Sequence, residues 1–121
     1  MELKLATLDE RIGAATLDEL INIDGIVCAI EFNPDGSIVD FRSQVGMSQQ
    51  MAAMTAQFCS TVCMMFNSLA NSYSMLSDMS WAPQQGWTYS GGDWTVACGG
   101  NRAVFVKTEE ADFNQLYESL A

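Results

Sequence analysis

MSQQMAAMTAQFCSTVCMMFNSLANSYSMLSDM, residues 47–79, is the stretch on which the fold turns. No charged residue occurs anywhere from Ser43 to Ser77. Apolar side chains recur at Met47, Met51, Met54, Phe58, Val62, Met65, Leu69, Tyr73 and Leu76, in steps of four and three. At about 100° per residue these positions share one sector, which is the signature of a helix with one face on a sheet. The spacing predicts a helix of roughly eight turns. A second stripe runs beside the first: Ala52, Ala56, Cys59, Cys63, Phe66 and Ala70. Its members are mostly small, the kind that let another helix come close. A helix exposed on its remaining sides would carry Glu and Lys there, so the absence of charge implies that more than one face is covered. The expectation is that the large stripe packs on the protein's own sheet. The small stripe then meets the two-fold mate of the same helix in a homodimer. A membrane span is disfavoured, because Gln49, Gln50, Gln57, Asn67 and Asn71 interrupt the run and no basic flank anchors it.

Working outward, Thr16 and Glu19 form a capping-box pair ahead of Leu17, Leu20 and Ile21, and Gly25 ends that short helix. The same Ala-Thr-Leu-Asp-Glu string occurs at residues 6–10, and residues 1–15 are read as an N-terminal extension to a domain spanning 16–121. Residues 26–32 are apolar on both faces apart from Glu31, as in a central strand. Asn33-Pro34-Asp35-Gly36 supplies a turn, and residues 37–42 alternate as a half-exposed return strand. Three further strands are expected at 87–90, 93–98 and 102–107, divided by Gly91-Gly92 and Gly99-Gly100-Asn101. That hairpin spacing sets Tyr89 opposite Trp94. Residues 109–120 close the chain as a helix with Phe113, Leu116, Tyr117 and Leu120 on one face.

Composition bounds the function. The 121 residues suit one domain, 49% apolar and 17% charged, with a core large enough to do without staples. Five Lys and Arg against fifteen Asp and Glu leave a net charge of −10, which is repelled by nucleic-acid phosphates and anionic lipid. Neither nucleic acid nor membrane is expected as a partner. The acidic first residues do not form a secretory signal, and four cysteines inside apolar runs fit reduced thiols, so a cytoplasmic location is expected.

No histidine occurs, which removes histidine-activated nucleophiles and the usual zinc sets; no phosphate-binding loop appears. No catalytic residue, metal ligand or cofactor is assigned. Cys59 and Cys63 lie one turn apart, about 5–6 Å between Cβ atoms, too far for a disulfide. Cys28 and Cys98 fall on the first and the fourth expected strands. A thiol-based redox or metal role for Cys59 and Cys63, meeting their copies at the dimer axis, is the alternative to an adaptor. Trp81, Trp87 and Tyr89, on a loop and an edge strand, are the candidate partner-docking residues.

The order helix, strand, strand, long helix, three strands, helix resembles the Roadblock/dynein light chain family, part of the profilin-like group of α/β/α sandwiches. The likeness is carried by Leu17-Asp-Glu-Leu-Ile-Asn-Ile-Asp-Gly-Ile-Val27, by Glu31-Phe-Asn-Pro-Asp-Gly36 and by Gly99-Gly-Asn-Arg-Ala-Val-Phe-Val106. The chain is especially similar to a small, uncharacterised bacterial branch. It shares with that branch Gln57-Phe58, Met64-Met65-Phe66-Asn67, Pro83-Gln-Gln-Gly-Trp87 and Tyr89-Ser-Gly-Gly-Asp93. The resemblance covers residue 16 to the end. It implies a five-stranded antiparallel sheet in order 2-1-5-4-3, with the long helix on one face and the terminal helices on the other. It also implies homodimers paired through the long helix and an edge strand, and a non-catalytic adaptor or regulatory role. In relatives that role serves complexes containing small GTPases or other NTPases.

Overall fold

A computed structural model describes residues 15–120; the repeated string at 6–10 and the extension expected at 1–15 lie outside the described residues, apart from Ala15. Helix α1 (Leu17–Ile21) begins on the expected capping box. Thr16 Oγ1 accepts from the Glu19 amide, and the Glu19 carboxylate accepts from the Thr16 amide, so two otherwise orphaned donors are satisfied. Strands β1 (Ile26–Phe32) and β2 (Ile38–Ser43) follow, then helix α2 (Gln49–Leu76), capped by Ser48. Strands β3 (Trp87–Gly91), β4 (Trp94–Gly99) and β5 (Arg102–Lys107) lead through a 3-10 turn (Thr108–Glu110) into helix α3 (Phe113–Leu120). The five strands are antiparallel in the order β2-β1-β5-β4-β3, as the resemblance implied.

Each face of the sheet has its own core. Leu17, Leu20, Ala97, Val104, Val106, Leu116 and Leu120 pack between the sheet and the two short helices. Ile30, Phe32, Cys98 and Ala103 pack on the opposite face against Ala52, Ala56 and Cys59 of α2. The period-two alternation of β5 and β4 places these sets on opposite sides. In β1 the register shifts between Ile26 and Cys28. This irregularity brings Ile26 and Ala29 to the same side.

The stripes of α2 are exchanged relative to the sequence expectation. Ala52 and Ala56 are fully buried, Cys59 is 2% exposed and Ala70 is also buried, whereas Phe58 and Met65 are both 65% exposed. Volume is the reason. The strands already supply bulky side chains such as Ile30, Phe32, Val96 and Phe105 beneath the helix. Small residues on α2 let the helix approach them without overpacking. The helix also lies close over the β1–β2 turn, where Gly36 has φ +90° and a Cβ would meet Gln57 Cα at 3.3 Å. Ser60 Oγ donates to the Pro34 carbonyl there.

Two further expectations change. Tyr89 is opposite Val96, and Trp94 is opposite Gly91, because the turn falls at Gly92-Asp93, with Gly92 at φ +68°. A hydroxyl chain fits this register: Ser90 Oγ to Thr95 Oγ1 at 2.7 Å, then Thr95 to Thr108 at 2.9 Å. The final helix is interrupted at its start. Glu109 and Glu110 stay in the 3-10 turn, and Asp112 caps α3 by accepting from the Gln115 amide.

Candidate functional site

The outward flank of α2 carries Met51, Met54, Phe58, Met65, Leu69 and Tyr73, each more than two-fifths exposed. On this flank the first turn of the helix borders a cavity of about 650 Å³. Val27 and Cys28 of β1, Val45 to Ser48, Met51, and Tyr89, Gly91, Trp94, Val96 and Phe105 line it. Tyr89 and Trp94 remain 66% and 42% exposed at its rim. Among the described residues β3 is the edge of the sheet on this side, with one backbone edge not paired to another described strand. The helix flank runs into the groove, and no formal charge occurs among residues 43–77 or in the groove lining. Large apolar side chains exposed along one helix flank are unusual for a surface that faces only water.

The residues assigned to the dimer interface from sequence are placed differently. Ala52, Ala56, Cys59 and Ala70 are buried within the subunit, Cys63 is half-buried facing the sheet, and Phe66 is 38% exposed and edge-on to Trp87 at 6.2 Å. A side chain sealed against its own sheet cannot meet a second copy. Cys59 and Cys63 likewise face the subunit interior rather than a helix-pairing axis. The three docking candidates also part company. Trp81 is half-exposed and stacks on Tyr73, with ring centroids 4.9 Å apart. Tyr89 stands on the groove rim. Trp87 is turned inward, its indole N–H donating to Cys63 Sγ at 3.4 Å.

That contact belongs to a cluster of thiols. Cys63 Sγ lies 3.7 Å from Cys98 Sγ, and Cys59 is buried in the same core. The Cys98 thiol, and the Trp87 indole N–H with it, hold Cys63 down to about 6 even though partial burial works the other way. Cys98 is pushed well above the ordinary thiol range by its hydrogen bonds to Cys59 and Cys63 and by burial. Of the two thiols, Cys63 is therefore the one that gives up its proton more readily. Cys28 is apart from these, against Ser43 Oγ at 3.3 Å.

Sequence reasoning found Cys63 but not its partner, since thirty-five positions separate Cys63 from Cys98 and no local pattern joins them. The Met51–Tyr73 stripe was visible as a stripe; only its direction was missed. Among the described residues no cluster of three Cys, Asp or Glu side chains is arranged to hold a metal ion, and no helix is long and apolar enough to cross a membrane.

A model of a family of uncharacterized conserved proteins, DUF2173, matches residues 16–121. No curated protein matches the chain. Among solved structures, the gliding protein MglB from Thermus thermophilus is similar at a TM-score of 0.65 with 12% identity, covering 83% of this chain and 73% of that one. MglB of Myxococcus xanthus gives 0.67 at 8% identity, with 83% and 78% covered. A Roadblock/LC7 domain from Streptomyces avermitilis gives 0.60 at 14% identity, with 80% and 78% covered. The fold is thus the Roadblock/LC7 fold.

Proposed function

This chain belongs to the DUF2173 family, and from that premise we propose that it is a non-catalytic homodimeric adaptor or regulatory subunit. In this reading residues 1–15 extend a Roadblock-like domain that spans 16–121. The observation that carries the reading is the uncharged apolar surface made by the outer flank of α2 and the adjoining β3 edge.

A second copy is the occupant that fits this surface best. With a net charge of −10, two copies repel each other wherever their acidic residues face. Contact is favoured only where both present neutral surface, and that surface lies along α2 and β3. A two-fold operation brings each helix flank against its mate and each β3 edge beside the other, giving a self-complementary contact. One of the similar solved structures holds MglB in a tetrameric arrangement, which supports self-association as a property this fold accommodates. The acidic remainder of the surface, with Trp81 exposed beyond the end of α2, is left for a protein partner presenting basic groups. By analogy with Roadblock relatives, a small GTPase or other NTPase is the class of client proposed. The cytoplasm is the compartment proposed.

Light scattering on the intact chain at micromolar concentration tests the reading. A dimer that becomes a folded monomer on Phe58→Glu or Met65→Glu is the expected result. A wild-type chain that stays monomeric at that concentration overturns it.

A further inference from the structure

Three of the four cysteines meet in one place, and two of them differ from ordinary buried thiols. Cys63 comes from α2 and Cys98 from β4, so no helical geometry holds their sulfurs apart, as it does for Cys59 and Cys63. Their Sγ atoms are already 3.7 Å apart; a disulfide needs a closure of about 1.7 Å from there. Trp87 Nε1–H points a donor at the Cys63 sulfur, an interaction that favours the thiolate.

Cys63 is also reachable. It is half-buried and lines a cavity of about 290 Å³ with Pro34, Met64, Asn67, Gln84 and Asn101 among others. The buried Oε1 of Gln84 has no hydrogen-bond partner among the described residues, which leaves an acceptor in the cavity lining for a small molecule bearing a hydroxyl proton. Asn67 lies on the side of α2 roughly opposite Met51, Phe58 and Met65, and Met64 lies about 100–140° around the helix from them, counting about 100° per residue. Reagent therefore has access whether the chain is a monomer or the proposed dimer.

We propose that Cys63 and Cys98 form a peroxide-reactive dithiol, with Cys63 as the nucleophile and Cys98 as the resolving thiol, closing a disulfide between α2 and β4. In the first step the Cys63 thiolate attacks one oxygen of a hydroperoxide. An S–O bond forms and the O–O bond breaks. The leaving oxygen takes a proton from water and departs as an alcohol, or as water when the oxidant is hydrogen peroxide. Sulfur is oxidised by two electrons to a sulfenic acid, and the peroxide is reduced. In the second step Cys98 sulfur attacks Cys63 sulfur. The S–S bond forms, the S–OH bond breaks, and the hydroxide combines with the Cys98 proton to leave as water. The first step prepares the second. Once Cys63 no longer carries negative charge, Cys98 loses one of the interactions that hold its proton. The product removes the anionic acceptor from Trp87, the first residue of the edge strand, so oxidation is felt where β3 begins.

The test uses the full chain, reduced and then exposed to hydrogen peroxide, with peptide mass mapping after denaturing alkylation. The expected product is a Cys63–Cys98 linked peptide two hydrogens lighter, with Cys28 and Cys59 still alkylated. Its formation accompanies a change in tryptophan fluorescence that is lost in Trp87→Phe. Cys63→Ser should slow loss of free thiol at least tenfold, and Cys98→Ala should leave a sulfenic acid at Cys63 that dimedone traps. Free Cys63 and Cys98 after a dose that has converted the exposed methionines to sulfoxide would overturn the proposal. Bridging through Cys28 or Cys59, or a terminal sulfinic acid on Cys63 in the wild type, would do so equally. If Cys98→Ala does not fold, the wild-type map decides.

Discussion

Phe58 and Cys59 are consecutive on α2 and opposite in environment: the phenyl ring is 65% exposed, the thiol 2%. The peptide unit between them divides the surface offered to a second copy from the core of the subunit. Phe58→Glu is therefore expected to abolish dimerisation while the far-UV circular dichroism stays native, weakening self-association by at least about 2 kcal/mol, as for a central aromatic anchor. Cys59→Glu buries a carboxylate without a partner and is expected to unfold the chain. Light scattering and circular dichroism on both variants check this; a dimeric, folded Phe58→Glu would place the interface elsewhere.

Ala52 and Ala56 tolerate no added volume where α2 meets the sheet. Ala56→Leu is expected to cost about 1–3 kcal/mol through overpacking, read as a lower urea midpoint. Met65→Ala, on the outer flank, should leave the monomer's stability within about 0.5 kcal/mol. Equal losses for the two would mean that both stripes are packed within the subunit.

Arg102 is 8% exposed, and its guanidinium donates to the Ser119 and Leu120 carbonyls at the end of α3. These are orphan acceptors of a helix terminus, where positive charge is favoured. Arg102→Leu is expected to destabilise the fold by about 1.5–3 kcal/mol through loss of charged hydrogen bonds. Limited proteolysis should then cut α3 first. Glu31 lies across from Arg102 in the β1–β5 pairing and is the charge left uncompensated.

The thiol pair makes stability depend on pH in a defined window. Cys63 is depressed from 9.0 to about 6 in the fold, so its contribution is complete above the unfolded thiol value and is lost as pH falls through about 6. Cys98 is raised and acts in the other sense, its contribution fading as pH climbs past 9. The groups touching Cys63 are Cys98 on β4 and the Trp87 indole on β3. Stability of the wild type relative to Cys63→Ser should thus rise between pH 6 and pH 9 and flatten or fall beyond. Urea midpoints of the two proteins across that range measure it; parallel curves would show that Cys63 is not a thiolate in the fold.

Much of the architecture was legible without coordinates. The Thr16–Glu19 capping box, the Asn33–Gly36 turn and the helical period of residues 47–79 are local, and each reappears in the structure, the helix over Gln49–Leu76. Strand order came through family likeness carried by quoted residues, since no local rule orders five strands. The hairpin register was misread by one turn position, because Gly91-Gly92 and Gly92-Asp93 are equally good turns by composition. The Ser90–Thr95–Thr108 hydroxyl contacts, which favour one of them, join β3, β4 and the 3-10 turn after β5.

The sequence by itself determined that α2 exists, about how long it is, and that two of its flanks are apolar, because periodicity and the absence of charge are properties of the chain alone. Which flank meets the sheet was decided only in three dimensions. Both are apolar, and a hydrophobic driving force that scales with buried area does not choose between them. Steric volume does. The strands fill the space beneath the helix, so alanine and cysteine turn inward and methionine and phenylalanine are left outside. The same docking brings Cys63 over Cys98, a contact that no spacing along the chain encodes.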